Sequence, residues 1–206
     1  MPFVDDKHRP YWRCPRCALV FVPAAFHVSA AAERACYDQH QNDPDDPRYV
    51  QFLLRLADPL LGRVPAGAEG LDFGSGPAPV LAALLTSRGR PTSCYDPHYA
   101  PDASVWTRTW DFITACEVVE HLANPRAEFD RLFRVLRPGG WLGVMTKAPP
   151  DADAFLAWRY RREATHVAFY SRRTLLVIAE MWGAGAEFPA EDVVMFRGGR
   201  SPRAGV

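Results

Sequence analysis

At 206 residues the chain is long enough for one α/β domain with a continuous core and too short for two full domains. Its 24 basic and 24 acidic side chains cancel, which excludes a global field toward nucleic acid or an anionic membrane; the local set Arg197, Arg200 and Arg203 reads as a solvated terminal tail. Met1 to Pro10 carries charge without a signal-peptide core and no apolar run is long enough to span a bilayer, so a soluble, cytoplasmic protein is expected, its five cysteines serving as thiols or metal ligands rather than disulfides.

Residues 1–35 read as irregular, carrying aromatics and the pair Cys14 and Cys17, until an Ala-rich stretch from Ser29 that opens a helix. The run Asn42-Asp43-Pro44-Asp45-Asp46-Pro47 cannot continue that helix. We therefore expect an N-terminal appendage and linker over 1–45, a main domain over 46–197 and a tail over 198–206. A helix is expected from about Tyr49 to Leu61. Leu71 to Phe73 reads as a strand, Gly74 to Ala78 as a Gly-rich turn, and Pro79 to Ser87 as a helix with Val80, Leu81, Leu84 and Leu85 on one face. Strands follow at Thr92 to Tyr95, ending on Asp96, and at Phe112 to Cys116, ending on Glu117. Asn124 and Pro125 start a helix whose Phe129, Leu132, Phe133 and Leu136 repeat with helical period, and Pro138-Gly139-Gly140 stops it. Trp141 to Thr146 supplies another strand. A helix around Ala152 to Arg162 and a last helix capped by Ser171 complete the chain.

Strands alternating with helices predict a mostly parallel, Rossmann-like α/β sheet with helices on both faces, whose ligand lies beyond the carboxyl ends of the strands. That rule selects Gly74, Asp96, Glu117 and Thr146. In Asp72-Phe73-Gly74-Ser75-Gly76 the glycines permit a sharp turn and a close backbone approach to a ligand. Asp96, 20 residues beyond Gly76, stands where a carboxylate accepts ribose hydroxyls. Pro79 occupies the place of the third small residue in a dinucleotide fingerprint, which disfavours a nicotinamide oxidoreductase, the competing reading. A non-catalytic interaction module on the same fold is a third.

The motifs Leu71-Asp72-Phe73-Gly74-Ser75-Gly76-Pro77, Tyr95-Asp96-Pro97, Glu117-Val118-Val119-Glu120-His121 and Leu136-Arg137-Pro138-Gly139-Gly140 resemble, in order, those of class I S-adenosylmethionine (SAM)-dependent methyltransferases. Thr165-His166-Val167-Ala168-Phe169-Tyr170-Ser171 is similar to a segment of a small bacterial subgroup with an N-terminal Cys pair. The resemblance implies that Asp72, Gly74, Ser75 and Gly76 surround the methionine end of SAM, that Asp96 holds the ribose and that Glu117 floors the pocket. It also implies a methyl acceptor, expected to be a small molecule; the charge balance and short apolar runs lead us to expect no nucleic-acid or membrane partner. Only 15 residues separate Asp96 from Asp111, too few for the helix and strand the family places there, so Trp106 or backbone groups are expected at the adenine.

Three sets of residues complete the candidates. Cys14-Pro15-Arg16-Cys17 has zinc-knuckle spacing and supplies two of four ligands, with Cys36 and His40 able to complete a set; free thiols are the other reading. His166 and Tyr170 are expected on a substrate-side lid, and His121 either faces substrate or bonds a helix start; packing is the alternative for each. Trp158, Tyr160 and the run Arg159, Arg161, Arg162 either shape an anionic or aromatic substrate site or form a solvated helix face.

Overall fold

The computed structural model describes residues 1–6, 9–39 and 42–199. Three short strands come first, β1 (Pro2–Asp5), β2 (Pro10–Arg13) and β3 (Val20–Phe21), followed by helices α1 (Ala30–Tyr37) and α2 (Pro47–Leu61). Then come β4 (Gly70–Phe73), α3 (Val80–Ser87), β5 (Thr92–Tyr95), β6 (Trp110–Cys116), α4 (Pro125–Val135) and β7 (Leu136–Met145). The chain closes with α5 (Ala152–Phe155), β8 (Ala168–Phe169), α6 (Arg172–Met181), β9 (Gly185–Ala190) and β10 (Val193–Arg197). Side-chain caps set the helix starts: Ser29, Asp46, Asn124 and Ser171 each accept a hydrogen bond from a backbone N–H in the first turn.

Six strands form the main sheet in the order β5-β4-β6-β7-β10-β9. The first four run parallel; β10 returns antiparallel to β7, and β9, antiparallel to β10, runs with the first four. Because consecutive side chains of a strand point to opposite faces, the sheet feeds two cores. Phe112, Met145, Val193 and Met195 pack with Leu53, Leu56, Leu60, Leu81 and Leu85 of α2 and α3. On the other face Leu71, Ile113, Leu142, Val144 and Phe196 pack with Phe129, Leu132, Leu175 and Ile178 of α4 and α6. This is the expected α/β architecture. Between β5 and β6 there is only a single bridge, Asp96 to Ala100, and a 3-10 turn over Ala103–Thr107, as the short spacing required.

The N-terminal segment is small but not irregular. β1, β2 and β3 build an antiparallel sheet with β8, in the order β1-β2-β3-β8. Strands of two to four residues show too little alternation to be read from sequence, and here they are held by a shared core. Tyr11, Val20 and Val22 pack with Phe155, Val167 and Phe169, and Trp158 and Tyr160 close over them. The Cys14–Cys17 segment is the β2–β3 turn: the Ala18 N–H bonds to the Cys14 carbonyl at 2.9 Å, with Ala18 in the left-handed region at φ 62°.

Two further expectations are corrected. The helix around Ala152 to Arg162 breaks after one turn, because Trp158 is extended (φ −69°, ψ 118°) and turns the aromatic run into the small sheet's core. Arg197 closes β10, paired with Trp141, and so belongs to the sheet rather than to a tail. Arg200, Arg203 and His40 lie outside the described residues. Among the described residues no helix is long and apolar enough to cross a membrane.

Candidate active site

Because β4, β5 and β6 are parallel, their carboxyl ends open on one edge of the sheet, and a crevice of about 750 Å³ lies there. That volume falls within the range of sites for drug-sized ligands. Asp72, Gly74, Ser75, Gly76, Asp96 and Glu117 all line it. Gly74 and Gly76 sit at φ 75° and 65°, conformations that L side chains rarely adopt. A Cβ on Gly74 would stand 2.5 Å from Val118 Cγ2. The turn is pinned from β5, with the Gly74 N–H donating to the Tyr95 carbonyl at 2.7 Å.

Asp96 is buried and organises this end. Its Oδ2 accepts the Gly76 N–H at 3.0 Å, while Oδ1 accepts those of His98 and Tyr99 at 2.8 and 3.1 Å. A carboxylate has about four lone-pair positions, so one remains on Oδ2 for a ligand. Asp72 lies behind the turn, bonded by the Thr114 hydroxyl at 2.7 Å. Burial pushes its carboxyl up to about 7, the Thr114 bond opposing and the Asp96 charge adding. Glu117 is also pushed up to about 7 by burial, with the Lys147 ammonium opposing. It takes a left-handed backbone (φ 51°), and its Oε1 is buried without a hydrogen-bond partner among the described residues. A non-glycine residue held there, with an orphaned carboxylate oxygen, marks strain kept at a binding surface.

The other end of the crevice is aromatic and basic. His121 and His166 both line it, their rings 4.7 Å apart. His121 Nδ1 lies 3.2 Å from the Thr165 carbonyl, and His166 Nδ1 lies 2.6 Å from the Tyr160 carbonyl. Tyr160, also in the lining, donates its hydroxyl to Glu120, which accepts the Thr146 hydroxyl as well, at 2.9 Å. Glu120 is wholly buried. Burial, reinforced by the Glu117 charge, pushes it up to about 8. Helix α1 roofs both ends: Tyr37 packs on His98 and on His121, and Glu33 pairs with His98 at 3.4 Å. The segment expected as an appendage therefore forms part of the site.

The other candidates sit elsewhere. Tyr170 does not line the crevice: it is 1% exposed in the core, its hydroxyl donating to the Val119 carbonyl at 2.9 Å, so its expected substrate-side place is corrected. Trp106 packs on Phe73 and Tyr95 under Arg131, 3.6 Å from its ring centre, and likewise does not line the crevice. Cys14 and Cys17 lie far along the small sheet, where Thr174 donates to the Cys17 carbonyl. The Cys14 thiol is lowered chiefly by the Cys17 amide, and Cys17 is raised by burial. Among the described residues no third ligand joins that pair. Of Arg159, Arg161 and Arg162 only Arg159 lines the crevice, whereas Arg161 pairs with Asp6. Glu120 and Tyr37 were not singled out from sequence: no local pattern tells a buried Glu from a solvated one.

The sequence over residues 39–186 matches a family described as a methyltransferase domain. No curated protein matches. Among solved structures, the chain is similar to a putative methyltransferase from Bacillus halodurans (21% identity, TM-score 0.53, 66% of this chain and 67% of that one). It is also similar to the Burkholderia thailandensis 1,6-didemethyltoxoflavin-N1-methyltransferase, solved with 1,6-didemethyltoxoflavin and S-adenosylhomocysteine (13% identity, TM-score 0.54, 97% and 99%). A third is CalO1, a methyltransferase of calicheamicin biosynthesis with S-adenosylhomocysteine bound (14% identity, TM-score 0.52, 83% and 59%). With that family matched over most of its length, the chain belongs to a methyltransferase-domain family, and it shares the fold of these solved structures.

Proposed function

We infer that this protein transfers the methyl group of SAM to a small-molecule acceptor held against His121, His166 and Tyr160. The observation that carries this reading is the convergence of Asp72, Gly74, Gly76, Asp96 and Glu117 on one crevice whose far end is walled by ionisable and aromatic side chains. SAM carries a sulfonium and an ammonium, and the carboxylates of Asp72 and Glu117 favour that charge. The free acceptor position on Asp96 Oδ2 suits one ribose hydroxyl. The transfer is an in-line displacement at the methyl carbon, governed by positioning and by exclusion of water. The roof formed by α1 favours a small acceptor over a polymer, and the similar Burkholderia methyltransferase holds 1,6-didemethyltoxoflavin. The five cysteines, all unbridged, suit a reducing compartment such as the cytoplasm.

Calorimetry with SAM and with NAD, alongside native mass spectrometry of the purified protein, tests the reading. SAM binding at micromolar strength or retained S-adenosylhomocysteine is expected. Binding of NAD with none of SAM would overturn it. His166→Ala is expected to lower turnover at least 100-fold while leaving SAM affinity within a few-fold, because His166 stands at the acceptor end.

A further inference from the structure

We propose that Glu120, His121 and His166 form a binding site for a divalent first-row transition metal at the acceptor end of the crevice. One ligand atom from each residue lies within 4.8 Å of the others. An ion at the centre of such a triangle stands at most about 2.8 Å from every donor, so side-chain movements of under about 1 Å reach the 2.0–2.2 Å of zinc–nitrogen and zinc–oxygen bonds.

The imidazoles are already turned for this task. A carbonyl oxygen only accepts, so the Nδ1 of His121 beside the Thr165 carbonyl and that of His166 beside the Tyr160 carbonyl must each carry the proton. In the neutral rings the lone pair is then on Nε2. Metal-binding histidines are held in the same way, with the second nitrogen donating to a backbone carbonyl or carboxylate. Glu120 is fixed similarly, by the hydroxyls of Thr146 and Tyr160, which leave each of its oxygens a further lone-pair position.

An independent observation concerns Glu163. Its Oε2 lies 3.4 Å from His166 Nε2. A lone pair on nitrogen and a carboxylate oxygen repel at that distance unless a cation lies between them, either a proton on Nε2 or a metal ion. Glu163 lines the crevice beside His166. Two imidazoles with a carboxylate suit zinc, iron(II), manganese(II) or cobalt(II) rather than magnesium or calcium, which prefer oxygen alone. Since His121 and His166 line the crevice, the open coordination positions would face an acceptor presenting an oxygen donor.

Cobalt(II) is the probe, titrated into chelator-treated full-length protein. The expected result is one equivalent per chain, with visible d–d absorption and no thiolate charge-transfer band. His121→Ala and Glu120→Gln should weaken binding at least 10-fold, and a Cys14→Ser, Cys17→Ser double variant should bind as wild type. Should the buried Glu120→Gln variant fail to fold, His121→Ala, on the half-buried crevice wall, carries the test. No cobalt uptake by folded wild-type protein would overturn the proposal. So would uptake unchanged in folded His121→Ala, or uptake that shows a thiolate band and disappears with the two cysteines. SAM is titrated separately, so failure of the metal site and failure of the methyltransferase reading are told apart.

Discussion

Asp72→Asn isolates the electrostatics of the crevice floor. Asp72 is 3% exposed and lies in a central strand, so its carboxyl loses nearly all of its hydration, and one hydroxyl, from Thr114, replaces it. Folding raises its pKa from 3.8 to about 7. An acid raised in this way favours the folded state at low pH: its contribution is fully present below the unfolded value near 4 and is lost as pH climbs through 7. The displacement corresponds to about 4 kcal/mol between these limits. Asparagine keeps the shape and does not titrate. Urea unfolding of both proteins at pH 4.5, 6, 7 and 8 should therefore show the variant gaining on wild type by about 3 kcal/mol across the series. SAM should reverse the balance, since a cationic ligand favours the carboxylate. Wild type should take up SAM more tightly as pH rises through 7 and release a proton on binding near pH 6, seen by calorimetry in buffers of different ionisation enthalpy. The variant should do neither. A stability difference that stays flat with pH, or that grows as pH falls, would refute this account of Asp72.

Asp96→Ala should cost SAM affinity about 1.5–3 kcal/mol by titration, and should also lower the melting temperature, because the Gly76, His98 and Tyr99 amides lose their acceptor. Gly74→Ala puts a methyl group 2.5 Å from Val118 at φ 75°, and is expected to destabilise by at least about 1–3 kcal/mol in urea unfolding while impairing SAM binding. Tyr11→Ala removes a ring that meets Phe155 at 4.8 Å, and should cost about 3–5 kcal/mol by thermal or urea unfolding; an effect below about 1 kcal/mol would mean that the small sheet is not part of the cooperative fold.

The proposed cofactor end was legible because it is local. Gly74, Gly76, Asp96 and Glu117 are each fixed by a strand end and the turn that follows, and the parallel register brings those ends together once the alternation of strands and helices is recognised. The shortened link before β6 was legible from counting alone. At the other end His121, His166 and Tyr160 were legible only as candidates with packing as the alternative, because the contacts there join distant parts of the chain: Tyr160 with Glu120, His121 with the Thr165 carbonyl, and Tyr37 with His121. Tyr170 shows the limit clearly. It sits four residues after His166, yet β8 passes between them, and the chain carries one side chain to the crevice and the other into the core. No periodicity over two strand residues predicts that division.

The pairing of β3 with β8 has a consequence for synthesis. Val20 and Phe21 meet Phe169 and Ala168, nearly 150 residues later in the chain. At translation rates of about 5–20 residues per second, the first hairpin waits on the order of 10 s for its partner strand to leave the ribosome. During that wait the edge of β3 is an unpaired template with apolar neighbours. The main sheet, whose parallel strands lie closer in sequence, can begin to assemble before the wall that holds His166 is closed. Slowing elongation should therefore lengthen the life of a species with a formed cofactor crevice and an unfinished acceptor side, a nascent chain that binds SAM but has nowhere to send the methyl group.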